Sequence, residues 1–239
     1  MWLVPFAGLA LVGFWIFAYN IVRTLGAVER YDVTERHFLG ALGFVLVLTV
    51  LGVLLVVDFT VPTFSRVGVG RAGVVGAHAT LAVFGAVLTT VYGALYQLGT
   101  MFTQTELHGI DHRLRAVEEV AHPTGVVVFA AGRLVGNAPV ARVGGLLLLL
   151  AASAFCLVLA RKLSEMQVER TPMHTRYTMA VGALAVWIAV TAPAWMADPL
   201  TRGQLLGGGN AGHLLLLGAI GLVVVGTLYH IVPFVIWVN

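Results

Sequence analysis

Six windows of this 239-residue chain contain no Asp, Glu, Lys or Arg: 1–22, 37–57, 72–105, 143–160, 177–197 and 203–239. A helix that crosses a bilayer needs about 20 apolar residues, so each window holds one. Composition agrees. The chain is 59% hydrophobic and 10% charged, whereas a soluble domain is about 25% charged. The expected fold is all-α, a polytopic transmembrane bundle forming a single domain over residues 1–239. With that fold, the basic isoelectric point does not indicate nucleic-acid binding. The basic residues sit between hydrophobic segments, where they orient helices against the lipid bilayer. Cys156 is the only cysteine, which excludes an intramolecular disulfide and a thiolate metal cluster. The first window lacks the basic start of a cleaved signal peptide and is long enough to span.

A seventh span is expected from Val120 to Gly132, a short stretch opened by His122-Pro123 and followed by Arg133. Loop charge favours it. With seven spans, nine basic residues fall on one side (Arg23, Arg30, Arg36, Arg113, Arg115, Arg161, Lys162, Arg170, Arg176) and five on the other (Arg66, Arg71, Arg133, Arg142, Arg202). That bias places the N-terminus outside the cell membrane. With six spans the split is eight against six, which decides nothing. The linker 106–119 reads as an interfacial helix. Leu107, Ile110, Leu114 and Val117 form an apolar face, with His108, Asp111, His112, Arg115, Glu118 and Glu119 on the polar side.

One hydrophobic segment occurs twice, at 76–98 and 209–231. Without gaps, Gly76, Leu81, Gly85, Ala86, Gly93, Leu95 and Tyr96 meet Gly209, Leu214, Gly218, Ala219, Gly226, Leu228 and Tyr229. In a seven-span chain the copies are four helices apart and parallel. Each carries a histidine near its start, His78 and His213. Neutral imidazole is an axial ligand for haem iron, and the neighbouring Gly and Ala residues leave space for a macrocycle. The two are therefore candidate haem ligands. The alternative is that each hydrogen-bonds a neighbouring helix, with Gly and Ala as ordinary packing residues. The histidines are offset, because Ala211 aligns with His78. The helical rise makes this about 3 Å.

The other histidines are weaker candidates. His230 lies about 25 Å beyond His213 along one helix, so it would serve a second site; Pro233 and Trp237 after it read as an interfacial end with an aromatic anchor. His108 and His112 have chelating spacing, but HGIDH lacks the glutamate of HExxH, so a solvated polar face is expected and no metal site. His37 and His174 flank helices beside charges. His122-Pro123 reads as a helix start with proline in the first turn. Lys162, the only lysine, lies at a helix end, which excludes an internal retinal Schiff base. The six windows hold no acidic residue, which argues against a carboxylate-based pump.

The segments from His78 to Tyr96 and from His213 to Trp237, with GxxY followed by Pro-Phe-x-x-Trp, resemble haem-copper oxidase subunit I, the superfamily of cytochrome c oxidases and nitric oxide reductases. The resemblance implies a b-type haem held by His78 and His213, with Tyr96 and Tyr229 near its propionates or packed on neighbouring helices. It implies electron transfer or haem-based sensing, with a redox protein or other membrane subunits as partners. The family's His-His and His-x-His copper and haem ligands are absent, so no copper site is implied. His122-Pro123 is similar to the start of the copper-ligand motif. The competing expectation is a cofactor-free transporter, or an assembly or scaffold subunit, whose repeat is a packing device or half of a translocation path. The chain stops at Asn239 directly after a hydrophobic run, as a piece of a longer protein would.

Overall fold

The computed structural model describes the chain except Met1, Asn210 and Asn239 and the side chains of Pro233, Phe234, Trp237 and Val238. The anchor expected at Pro233 and Trp237 and the chain end thus lie outside the described residues. Among those described there are helices and no strands. They are α1 (Leu3–Leu25), α2 (Val33–Val57), the short α3 (Thr63–Arg66), α4 (Arg71–Thr103), α5 (Ile110–Leu134), α6 (Ala138–Ser164), α7 (Pro172–Ala197) and α8 (211–238). All except α3 and α5 are long and apolar enough to cross a membrane, six in number. Local chemistry sets their starts. Asp32 and Glu35 form a reciprocal capping box on α2. The Asn137 side chain caps α6, and Pro172 opens α7, where its missing N–H costs nothing.

The helices alternate in direction. At one end the α4 terminus meets the α6–α7 connection and α7: Gln167 N–H donates to Thr103 O, and His174 Nε2 contacts Phe102 O. The Phe102 and His230 rings lie 4.5 Å apart there. At the other end Arg133 of α5 bonds Thr80 of α4 and the carbonyls of Gln204 and Leu205, just before α8. Hence α4 and α8 run the same way. Both also contain an eight-residue π-helical stretch, Leu81–Leu88 and Leu214–Gly221, at the same positions of the two repeat copies.

Helix α5 departs from expectation. Residues 106–119 do not form a separate interfacial helix. Instead, 110–119 are the first part of a continuous 25-residue helix that reaches Leu134, and His122-Pro123 lies in its interior. The expected faces hold only in part: Leu107 and Leu114 pack on the core and His108 and His112 are exposed, but other residues depart from them. Asp111 and Glu118 are fully buried, while Val120 is 69% exposed and Ile110, Val117 and Val127 are exposed too. The reason is pairing: each buried charge has a partner inside the bundle, so burial leaves no isolated ion.

Glycine lets α5 lie against α6. A Cβ on Gly132 would strike Ala141, and one on Gly144 would strike the Phe129 backbone. A side chain in such a contact costs about 1–3 kcal/mol through overpacking. Gly144→Val is therefore expected to lower the melting temperature in detergent substantially. Gly182→Val, where nothing lies within 4 Å, is expected to change it little.

Candidate functional site: a buried polar seam along α5

Asp111, Glu118, His122, Gly125, Phe129 and Arg133 repeat at helical spacing along α5 and are all buried. The first three meet polar groups of other helices, and they begin at the end of the bundle that carries Lys162. There Asp111 accepts from Arg161 Nε at 2.7 Å and pairs with Lys162 Nζ at 2.9 Å. Lys162 also reaches Glu165 at 2.6 Å and donates to Glu106 O at 2.8 Å. His108, Asp111 and Glu165 offer ligand atoms close together. Two basic side chains already neutralise those carboxylates, so the group reads as an ion-pair network fastening α5 to α6. Lys162 lies in the last turn of α6, at a helix end as expected, and is buried and bonded there.

One turn pair further in, Glu118 (0% exposed) meets His37 of α2 (6% exposed), with Nε2 at 3.1 and 3.2 Å from its two carboxylate oxygens. His37 Nδ1 lies 2.6 Å from the Val33 carbonyl. A carbonyl only accepts, so Nδ1 carries hydrogen. Neutral histidine would then turn the bare Nε2 lone pair toward a carboxylate. The contact is attractive only when a proton lies between them, on Nε2 or on Glu118. The pair is therefore a proton-holding site.

His122 follows one turn on. Its Nε2 sits 3.0 Å from Phe84 O and 3.0 Å from Thr89 Oγ1. The Thr89 hydroxyl itself donates to Phe84 O, so Nε2–H donates to both oxygens. Nδ1 is left as a bare acceptor without a protein partner. Phe84 lies in the π-helical stretch of α4, a local geometry common at functional sites. Tyr92 and Tyr96 complete the seam from α4. Their rings lie 4.9 Å from His122 and 5.6 Å from His37, respectively. A half-open cavity of about 290 Å³ borders the seam, lined by His37, Phe44, Thr89, Glu119 and His122. Arg36 and Glu119, paired at 2.7 Å, stand at its mouth.

Beyond His122 the bundle turns aromatic. Phe84, Phe129, Trp187 and Trp195 pack with ring centroids 4.5–6.5 Å apart. Arg133, 3% exposed, lies past them, 3.8 Å over the Phe129 ring. It donates to the carbonyls of Pro199, Gln204 and Leu205 and to Thr80. It sits in the last turn of α5, where the helix dipole favours a cation.

The histidines singled out in the sequence lie elsewhere. His78 is half-buried against α2, its Nδ1 2.9 Å from Leu48 O and its ring over Gly52. His213 is exposed and makes no side-chain hydrogen bond among the described residues. No contact joins the two, and neither lines the cavity described above. His230 is exposed and stacks on Phe102. Tyr96 is buried, whereas Tyr229 is exposed beneath Arg176. His37 and His174, expected at helix flanks, are buried and hydrogen-bonded. The carboxylate that the six windows lack is supplied by α5.

Comparison with known proteins finds no match: no family model, no curated protein and no solved structure is similar to this chain.

Two outcomes are expected. Any Soret band carried by the purified protein should survive replacement of His78 and His213 together by alanine; its loss in absorption spectra would restore them as ligands. The second concerns acid. The Lys162 hydrogen bond holds the Glu165 carboxyl below its ordinary value of 4.5. A depressed folded-state value stabilises the fold above that ordinary value and is lost as pH falls through the lower one. Melting temperature should therefore fall as pH drops below about 4.5, and less steeply in Glu165→Gln. This exposed part of the network contributes about 1 kcal/mol or less.

Proposed function

We propose that this chain is a seven-span protein of the cell membrane that takes up protons at one face and holds them inside the bundle, as the proton-coupling unit of a transporter. The observation that carries this reading is the buried Glu118–His37 contact, which is attractive only with a proton between the two and lies beside a cavity that His37 lines. Ionisable groups at membrane depth are costly and mark proton relays and ion paths. Helix α5 supports the seventh span. It is 25 residues long, about 37 Å at the helical rise, with valines outward and charges inward. The nine-to-five distribution of basic residues supports an outside N-terminus, which puts the Arg36–Glu119 mouth on the inner face. The matching π-helical stretches in α4 and α8 support the parallel repeat.

The test uses the full chain in liposomes loaded with a pH-sensitive dye. After a pH step with potassium and valinomycin clamping the potential, the protein should speed proton equilibration over protein-free liposomes. Glu118→Gln should remove that increment while leaving the fold intact, because the amide still donates to His37 Nε2. Wild-type equilibration no faster than that of empty liposomes would sink the proposal.

A further inference from the structure

Three polar atoms beside the Glu118–His37 pair make no close hydrogen bond to protein, Tyr96 Oη, Tyr92 Oη and His122 Nδ1, although the Glu118 carboxylate is near the first of them. Their residues are 4%, 0% and 1% exposed. Buried polar atoms in folded proteins are nearly always paired with protein or ordered water, so three orphans in one place call for a shared partner. Their chemistry is complementary. Each hydroxyl donates once and accepts, and His122 Nδ1 only accepts. They also form a sequence in space. The His37 and Tyr96 rings and the Tyr92 and His122 rings neighbour one another directly, and both tyrosines pack on Phe155. Supply is at hand. His122 lines the cavity of about 290 Å³, far more than the roughly 30 Å³ that one water takes in the liquid.

We propose that ordered waters from this cavity bridge Glu118 to His122 through the Tyr96 and Tyr92 hydroxyls, forming one hydrogen-bonded wire. A proton leaving the Glu118–His37 pair is accepted by the first water or hydroxyl, which passes its own proton on. Each member regains one, and the last proton lands on His122 Nδ1. The imidazolium so formed keeps its Nε2–H on Phe84 O. The water sites stand on the orphaned atoms alone; only their use in proton transfer rests on the proton-uptake reading.

The test reads water directly, in the full chain in liposomes. Infrared spectra in ordinary and heavy-oxygen water should differ by bound-water O–H stretching bands. Tyr92→Phe and Tyr96→Phe should each lose part of those bands and melt below the wild type, although phenylalanine removes only a hydroxyl. Dry hydroxyls predict the opposite, because deleting an unsatisfied polar group is neutral or stabilising. Unchanged bands with equal or higher melting temperatures in both variants would overturn the proposal. Proton flux separates the two readings. Bands lost with no protein-dependent flux leave the waters and remove the proton-uptake function. Glu118-dependent flux with unchanged bands does the reverse.

Discussion

Glu118 and His37 meet, both buried, in a contact that is attractive only with a proton between them, and the inner helices are arranged so as to hold the two in register. A buried pair broken by loss of one partner costs about 3–5 kcal/mol, so both side chains must be held in register. His37 is fixed by Val33 within α2. Thr34, the second residue of α2, donates to the Gly93 carbonyl and locks α2 onto α4. Gly93 permits the approach, because a Cβ there would meet the His37 side chain at 2.6 Å. The Tyr96 ring then packs between His37 and Phe155 of α6. One ionic contact thereby draws on α2, α4, α5 and α6.

Helix α5 carries this contact because its ends are tied down by different chemistry. Its start is held by carboxylate–ammonium and carboxylate–guanidinium pairs to α6, and its finish by a guanidinium on backbone carbonyls of the 199–205 connection. Between them, glycines bring α5 to backbone distance from α6. A helix so fixed tolerates a proline inside it. Pro123 cannot donate to the Glu119 carbonyl, and that residue lies at the mouth of the cavity, where the carbonyl is within reach of water.

The sequence showed the lipid-facing part of this architecture and hid the working part. Charge-free windows found α1, α2, α4, α6, α7 and α8 because lipid selects against charge on any face. The same count missed α5, since a window average cannot tell an inward charge from an outward one. The signal was present. Asp111, Glu118, His122, Gly125, Phe129 and Arg133 recur at helical spacing, and the polar residues run without a break into glycine and phenylalanine, as one buried face does. Reading 106–119 alone cut that face in two. The histidines of the repeat drew attention for a related reason. Glycine and alanine beside them signal close approach of something, and His78 lies against helix α2.

A cavity reaches each end of the α5 face, one of about 290 Å³ at His37 and His122 and one of about 370 Å³ at Arg133 and Leu134. His122 is the last polar group before Phe84, Phe129, Trp187 and Trp195, and rings packed at interior density leave no continuous path for water. On the far side Arg133, Trp187 and Trp195 direct their N–H groups to carbonyls of the 199–206 connection. On the near side His122, with its unpaired ring nitrogen, lines the other cavity. A pore would need polar groups through both halves and would dissipate a proton gradient. Under the proposed proton uptake, passage from one end to the other requires these rings to repack. The two π-helical stretches flank this region, with Phe84 inside one of them. Backbone that departs from regular α geometry at the level of the barrier is where such a repacking meets least resistance.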